Sequence, residues 1–135
     1  MWTLASLDDV ARIASALPEV REDDRRGSRI WIVANKTFAW ERPFTKADIK
    51  RFGNATPPDG PILGLRVSSL EEKDVVLMSH RRGFFTIPHF DGFAAVLIQL
   101  NRVTKRGLRE AITDAWSAMA PPKLAAEFWR SGRGK

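Results

Sequence analysis

The sequence predicts one α+β domain, a two-layer sandwich in which an antiparallel sheet of about five strands carries helices on one face. Three observations support this class. An amphipathic helical segment opens the chain, two strand-like segments follow with a two-residue link, and no regular strand–helix alternation of a parallel sheet is present. Because 135 residues is a common size for a single domain, we assign residues 1–135 to one domain.

The first helix is predicted from about Leu7 to Ala16, since apolar residues recur there at helical spacing. Ser6 and the acidic residues after it have the pattern of a capping box, and Pro18 ends the helix. The charged segment from Glu19 to Ser28 is predicted to be a loop.

A β-hairpin is predicted next, from two segments rich in β-branched and aromatic residues, Arg29–Ala34 and Thr37–Glu41. The link Asn35–Lys36 predicts a tight turn, because asparagine tolerates the positive φ that such turns require. A short helix capped by Thr45 follows, and the glycine- and proline-rich segment Gly53–Pro61 is predicted to be a loop.

The second half of the chain is predicted to contain three strands and three helices. In order, these are a strand at Ile62–Val67, a helix capped by Ser68 or Ser69 and ending near Ser79, strands at Gly83–Pro88 and Ala94–Val103, a long helix capped by Thr104, and a short helix at Lys123–Trp129. Pro121 and Pro122 separate the last two helices. Residues 123–135 are predicted to form a basic C-terminal helix and tail.

Composition excludes several classes of function. The chain has no cysteine, which excludes disulfides, a thiol nucleophile and thiolate metal ligands. Residues 1–4 do not begin a signal peptide, and the strongly apolar segment Phe93–Leu100 is too short to cross a bilayer. We therefore expect a cytoplasmic protein with no membrane association, and we expect it to be a monomer.

The formal net charge is +6, and most of the excess lies from Arg102 onward. A positive balance favours polyanionic partners. The clusters expected at exposed loops, at a hairpin tip and at a helix start are Arg25 and Arg26, Lys36, Arg81 and Arg82, and Lys105 and Arg106. Lys105 and Arg106 stand at a helix start, where the helix dipole disfavours positive charge. This cost suggests that the two cations serve a function, which the sequence does not name. A solvated basic surface with no partner is the plain alternative.

Four segments carry a family resemblance: Ala16–Val20, Ile32–Ala39, Gly83–Leu100 and Leu108–Pro121. In order and spacing they resemble the MmcQ/YjbR family of small bacterial proteins over nearly the whole chain. The chain departs from the family at Asn35, where glycine is common, and at Ala95, where tryptophan is common. The resemblance implies a two-layer double-wing fold and a DNA-binding function.

Candidate catalytic and metal-ligating residues are few. His80, His89 and Asp91 have no metal-site spacing, and no glycine-rich phosphate loop is present, so we predict no metal and no cofactor. His89 matches a histidine of the family and is expected to bond a nearby backbone group, with no acid or serine beside it in sequence to complete a triad.

The leading hypothesis is a non-enzymatic protein that binds DNA weakly and without sequence preference through the seven clustered cations. About four or five phosphate contacts would make log K fall against log salt with a slope near −4. The first alternative is a protein- or peptide-binding adaptor that uses a sheet face or the end carrying Phe128 and Trp129. The second is an enzyme with His89 in a cleft.

Overall fold

The computed structural model describes residues 5 to 132, so the predictions for residues 1–4 and for the end of the basic tail, residues 133–135, lie outside it. In chain order the elements are α1 (Leu7–Ser15), β1 (Val20–Arg25), β2 (Ser28–Val33), β3 (Lys36–Glu41), α2 (Lys46–Phe52), β4 (Ile62–Arg66), α3 (Leu70–Met78), β5 (Phe84–Phe85), a 3-10 turn (Pro88–Phe90), β6 (Ala95–Gln99), α4 (Lys105–Met119) and α5 (Pro122–Arg130). No helix among residues 5–132 has the length and apolarity needed to span a bilayer.

The strands form one antiparallel sheet in the order β1-β2-β3-β4-β6-β5, which confirms the α+β class. The predicted loop at Glu19–Ser28 is wrong, because most of this segment is strand β1, paired with β2 along its full length. Its side chains after Val20 are exposed, as suits a charged edge strand, and an exposed strand carries no apolar alternation to detect. Of the strand predicted at Gly83–Pro88, only Phe84–Phe85 is strand, and Pro88 begins the 3-10 turn.

Two tight turns place β1, β2 and β3 side by side. Arg26 and Gly27 join β1 to β2, and Ala34 and Asn35 join β2 to β3. All four residues have positive φ, from 50° to 84°, as a two-residue hairpin turn of the I′ kind requires. The second turn therefore lies one residue before the predicted Asn35–Lys36 link, and Lys36 is the first residue of β3.

The main core lies between one face of the sheet and the helices α1, α4 and α5. Its largest fully buried side chains include Trp31, Phe38 and Trp116. A register shift in the β2–β3 pair leaves Phe38 without a direct partner, so that Phe38 and Ala39 both enter this core. The Trp116 Nε1–H donates to the Pro18 carbonyl at 3.0 Å, which joins α4 to the end of the α1 segment.

A smaller cluster covers part of the opposite face. Ala95 and Leu97 of β6 point to it, while Val96 and Ile98 point to the main core, as the two-residue period of a strand requires. The 3-10 turn and α2 contribute further aromatic side chains to this cluster. They leave the part of the face formed by β2 and β3 open, and the candidate site lies there.

Candidate nucleic-acid interface

An open groove of about 660 Å³ runs over β2 and β3 on the face away from the main core. Its floor includes Ile30, the half-buried Trp40 and Phe93, whose side chain is 40% exposed. Ile30 and Trp40 are direct cross-strand partners. The groove therefore has an apolar and aromatic floor, and its rim is where the charged side chains stand.

Three of the predicted cations line this groove. Arg25 and Arg26 stand at the β1–β2 turn, and Lys36 stands at the β2–β3 turn. These turns lie at opposite ends of β2, which has 6 residues, so the cations are separated by roughly 20 Å along the strand. Within residues 5–132 all three are exposed and none forms an ion pair, although Arg25 acts on Asp23 at longer range.

Two further arginines line the groove, and sequence reasoning missed both. Arg66 ends β4; its Nε–H donates to the Ala94 carbonyl at 3.2 Å, and its guanidinium lies 4.7 Å from the centre of the Phe93 ring. No carboxylate of the described chain pairs with it. The sequence signal that could have identified Arg66 is a single arginine at the end of an apolar strand. Held by the Ala94 carbonyl and the Phe93 ring, Arg66 presents a fixed positive charge to the groove.

The other missed arginine, Arg42, is neutralised within the fold. Its Nη1 lies 2.9 Å from the carboxylate of Asp48, which is buried at the start of α2. Burial by itself would raise the pKa of Asp48, but hydrogen bonds from the Thr45 backbone, Arg42 and the Thr45 hydroxyl together lower it. Arg42 therefore fixes the wall of the groove and contributes little free charge.

Glu41 is the acidic residue on the groove wall. Its carboxylate accepts a hydrogen bond from the Arg29 backbone N–H at 3.0 Å, so this carboxylate is already bonded to the backbone of β2. The cations without an ion pair in the described chain, Arg25, Arg26, Lys36 and Arg66, outnumber it. The groove therefore has a positive balance.

The remaining predicted cations lie elsewhere, and most have a carboxylate neighbour. Arg81 and Arg106 both pair with Glu110, at 3.9 Å and 3.1 Å, and Lys105 lies 3.8 Å from Asp9. Arg82 is exposed, and no acidic group of the described chain pairs with it. The seven predicted cations are therefore divided between the groove and the region around the start of α4.

His89 is exposed on the groove wall and packs edge-on against the Phe90 ring at 5.2 Å. The backbone hydrogen bond expected for its side chain is not formed within residues 5–132. The described residues contain no group of three side chains able to hold a metal ion. His89 is therefore an exposed ring at the side of the groove.

The C-terminal aromatic pair differs in exposure. Phe128 is buried, with its ring 4.9 Å from that of Trp116, whereas Trp129 is 40% exposed. The Trp129 Nε1–H donates to the Ser117 hydroxyl at 2.9 Å. Only Trp129 of this pair therefore offers surface to a partner, and the adaptor hypothesis stays a prediction.

Comparison with known proteins finds close relatives in mycobacteria. The chain is 41% identical over 127 residues to the uncharacterized proteins Rv2570 of Mycobacterium tuberculosis and Mb2600 of Mycobacterium bovis. The matched segment covers 93% of this chain and 96% of each relative. No family model and no solved structure matches the chain.

Proposed function

This chain belongs to the family of the mycobacterial proteins Rv2570 and Mb2600, and we propose that it is a non-enzymatic protein that binds DNA in the basic groove with little sequence preference. We propose that it works in the bacterial cytoplasm and that it is a member of the MmcQ/YjbR family. The observation that carries the DNA proposal is the group of unpaired cations, Arg25, Arg26, Lys36 and Arg66, around one groove.

The spacing of the cations favours an extended polyanion over a single small anion. Arg25 and Lys36 bound a strand that spans roughly 20 Å, which is about the rise of six base pairs. Contacts from side chains on tight turns suit phosphates along a backbone, and such contacts position a protein without reading bases. This is why we expect weak, salt-sensitive binding with little discrimination between sequences.

The test is duplex binding measured by fluorescence anisotropy across a salt series from about 50 to 200 mM. Four phosphate contacts predict a slope of log K against log salt of about −3.6. Two duplexes of unrelated sequence should bind with similar affinity. A Arg25→Gln/Lys36→Gln variant should lose about two contacts, which reduces the steepness of the slope by about 2.

The matched control is Arg82→Gln/Arg106→Gln, which removes the same formal charge from outside the groove. Its slope should stay close to that of the unmodified protein. Equal slopes for the two double variants would show that net charge and not the groove governs association. No binding at the lowest salt would end the proposal.

A further inference from the structure

A second cavity, of about 440 Å³, lies on the other face of the sheet, between α3, α4 and strands β4, β5 and β6. Its walls are largely apolar and include Val76, Phe84, Val96 and Ala111. Small-molecule sites have this size and lining, with a few polar groups that fix the orientation of the ligand. Arg66 lines both this cavity and the groove, and the other residues that line the cavity are not among those of the groove.

Two carboxylates from facing helices stand at this cavity, Glu72 of α3 and Asp114 of α4. Neither side chain forms an ion pair or accepts a hydrogen bond from another group of residues 5–132. Two arginines line the same cavity. The Arg66 guanidinium lies over the Phe93 ring, which lines the groove on the opposite face, and Arg81 is already engaged by Glu110 at 3.9 Å and by the Phe84 ring at 4.8 Å. Apart from Arg66, the charged groups that line the cavity without an ion-pair partner in the described chain are therefore carboxylates.

The surroundings of Asp114 penalise its ionised form. Burial against the cavity wall raises the pKa of Asp114; Arg81 acts in the opposite direction, and the carboxylates of Glu110 and Glu72 raise it further. Asp114 is exposed at the surface, so the free-energy cost of its ionised form is modest. A cation bound beside it would recover part of that cost.

We propose that this cavity binds a small organic cation with an apolar body, a primary amine of the size of hexylamine, with its ammonium between Asp114 and Glu72. The hydrocarbon part lies against Phe84, Val76 and Val96. An organic anion is disfavoured because Arg81 already has both an acidic and an aromatic partner. The amine recognised in this way is defined by charge and size.

The experiment is a titration of the full chain, labelled with ¹⁵N, with hexylammonium, and in parallel with hexanol and hexanoate. Hexylammonium should move the amide signals of the residues that line the cavity. Because two carboxylates face the ammonium, hexylammonium should bind about tenfold more tightly than hexanol. Hexanoate should bind more weakly than hexanol.

Two variants separate charge from shape. Glu72→Gln/Asp114→Asn should abolish the preference for the amine and leave hexanol binding nearly unchanged, whereas Glu127→Gln, on the exposed part of α5, should change neither. Ala111→Leu should fill the cavity and weaken both ligands. Equal binding of hexanol and hexylammonium, a preference that survives the double variant, or signals that move away from the cavity would each overturn the proposal.

Discussion

Lys73 ties the wall of the groove to helix α3, and its removal should be costly. Its side chain is buried, with 6% exposure, and its Nζ donates to the Phe90 carbonyl at 2.6 Å and to the Phe93 carbonyl at 2.9 Å. These carbonyls belong to the segment that carries His89 and Phe93 to the groove. One buried ammonium therefore holds the segment that brings His89 and Phe93 to the groove wall.

The substitution Lys73→Met keeps most of the aliphatic stem and removes the ammonium. Each hydrogen bond from a charged donor contributes about 1.5–3 kcal/mol, and the loss leaves two inward-facing carbonyls without this donor. The desolvation penalty of the buried ammonium is recovered at the same time, which offsets part of the loss. We expect the free energy of unfolding to fall by about 2–4 kcal/mol, a large fraction of the stability of a small domain.

Urea unfolding followed by tryptophan fluorescence measures this change, because Trp31 and Trp116 are fully buried and report on the core. The control is Lys50→Met on the exposed side of α2, where the side chain has no ion pair within the described chain and a change below about 0.5 kcal/mol is expected. A loss of less than about 1 kcal/mol for Lys73→Met would refute the reasoning. It would mean that water replaces the ammonium at both carbonyls.

Two carboxyl groups should respond to pH in opposite ways. The folded-state pKa of Asp48 is lowered, so its contribution is present above the ordinary value of 3.8 and is lost as the pH falls through the lowered pKa. Asp48→Asn should cost about 2 kcal/mol at pH 7, and the thermal melts of variant and parent should converge as the pH falls through that lowered pKa. The folded-state pKa of Asp114 is raised, so its ionisation destabilises the fold as the pH rises above 3.8. Asp114→Asn should raise the Tm at pH 7 and have no effect at a pH well below 3.8, and a lower Tm at pH 7 would contradict this sign.

Helix starts were predictable because their signal is local. Ser6, Thr45, Ser69 and Thr104 each accept a hydrogen bond from a backbone N–H three residues on, as their spacing predicted. The edge strand β1 was not predictable in this way. Its backbone pairs with β2 along its full length, and its exposed charged side chains have the composition of a loop.

The groove was predictable only in part, because strand geometry separates neighbours in sequence. Arg25, Arg26 and Arg29 form one cluster in the sequence, yet the Arg29 guanidinium lies on the other side of the sheet, paired with Glu22 at 2.7 Å and with Asp8 of α1 at 3.0 Å. Hydrogen bonds to Glu22 first and to Asp8 second raise the pKa of Arg29. Alternation along β2 thus removes Arg29 from the groove, whereas the two turns bring Arg25, Arg26 and Lys36 to it.

Pairing, and not clustering, decides which cations are available to an external anion. Lys105 and Arg106 stand at the start of α4, where the helix dipole disfavours positive charge, and the sequence alone suggests a use for this position. Asp9 and Glu110 lie beside them and offset that cost within the fold, so the unfavourable position requires no ligand. At Arg25, Arg26 and Lys36 no carboxylate of the described chain forms an ion pair, so these side chains remain available to an external anion. The proposed DNA binding therefore depends on these three residues, together with Arg66, and not on the larger number of basic side chains around α4.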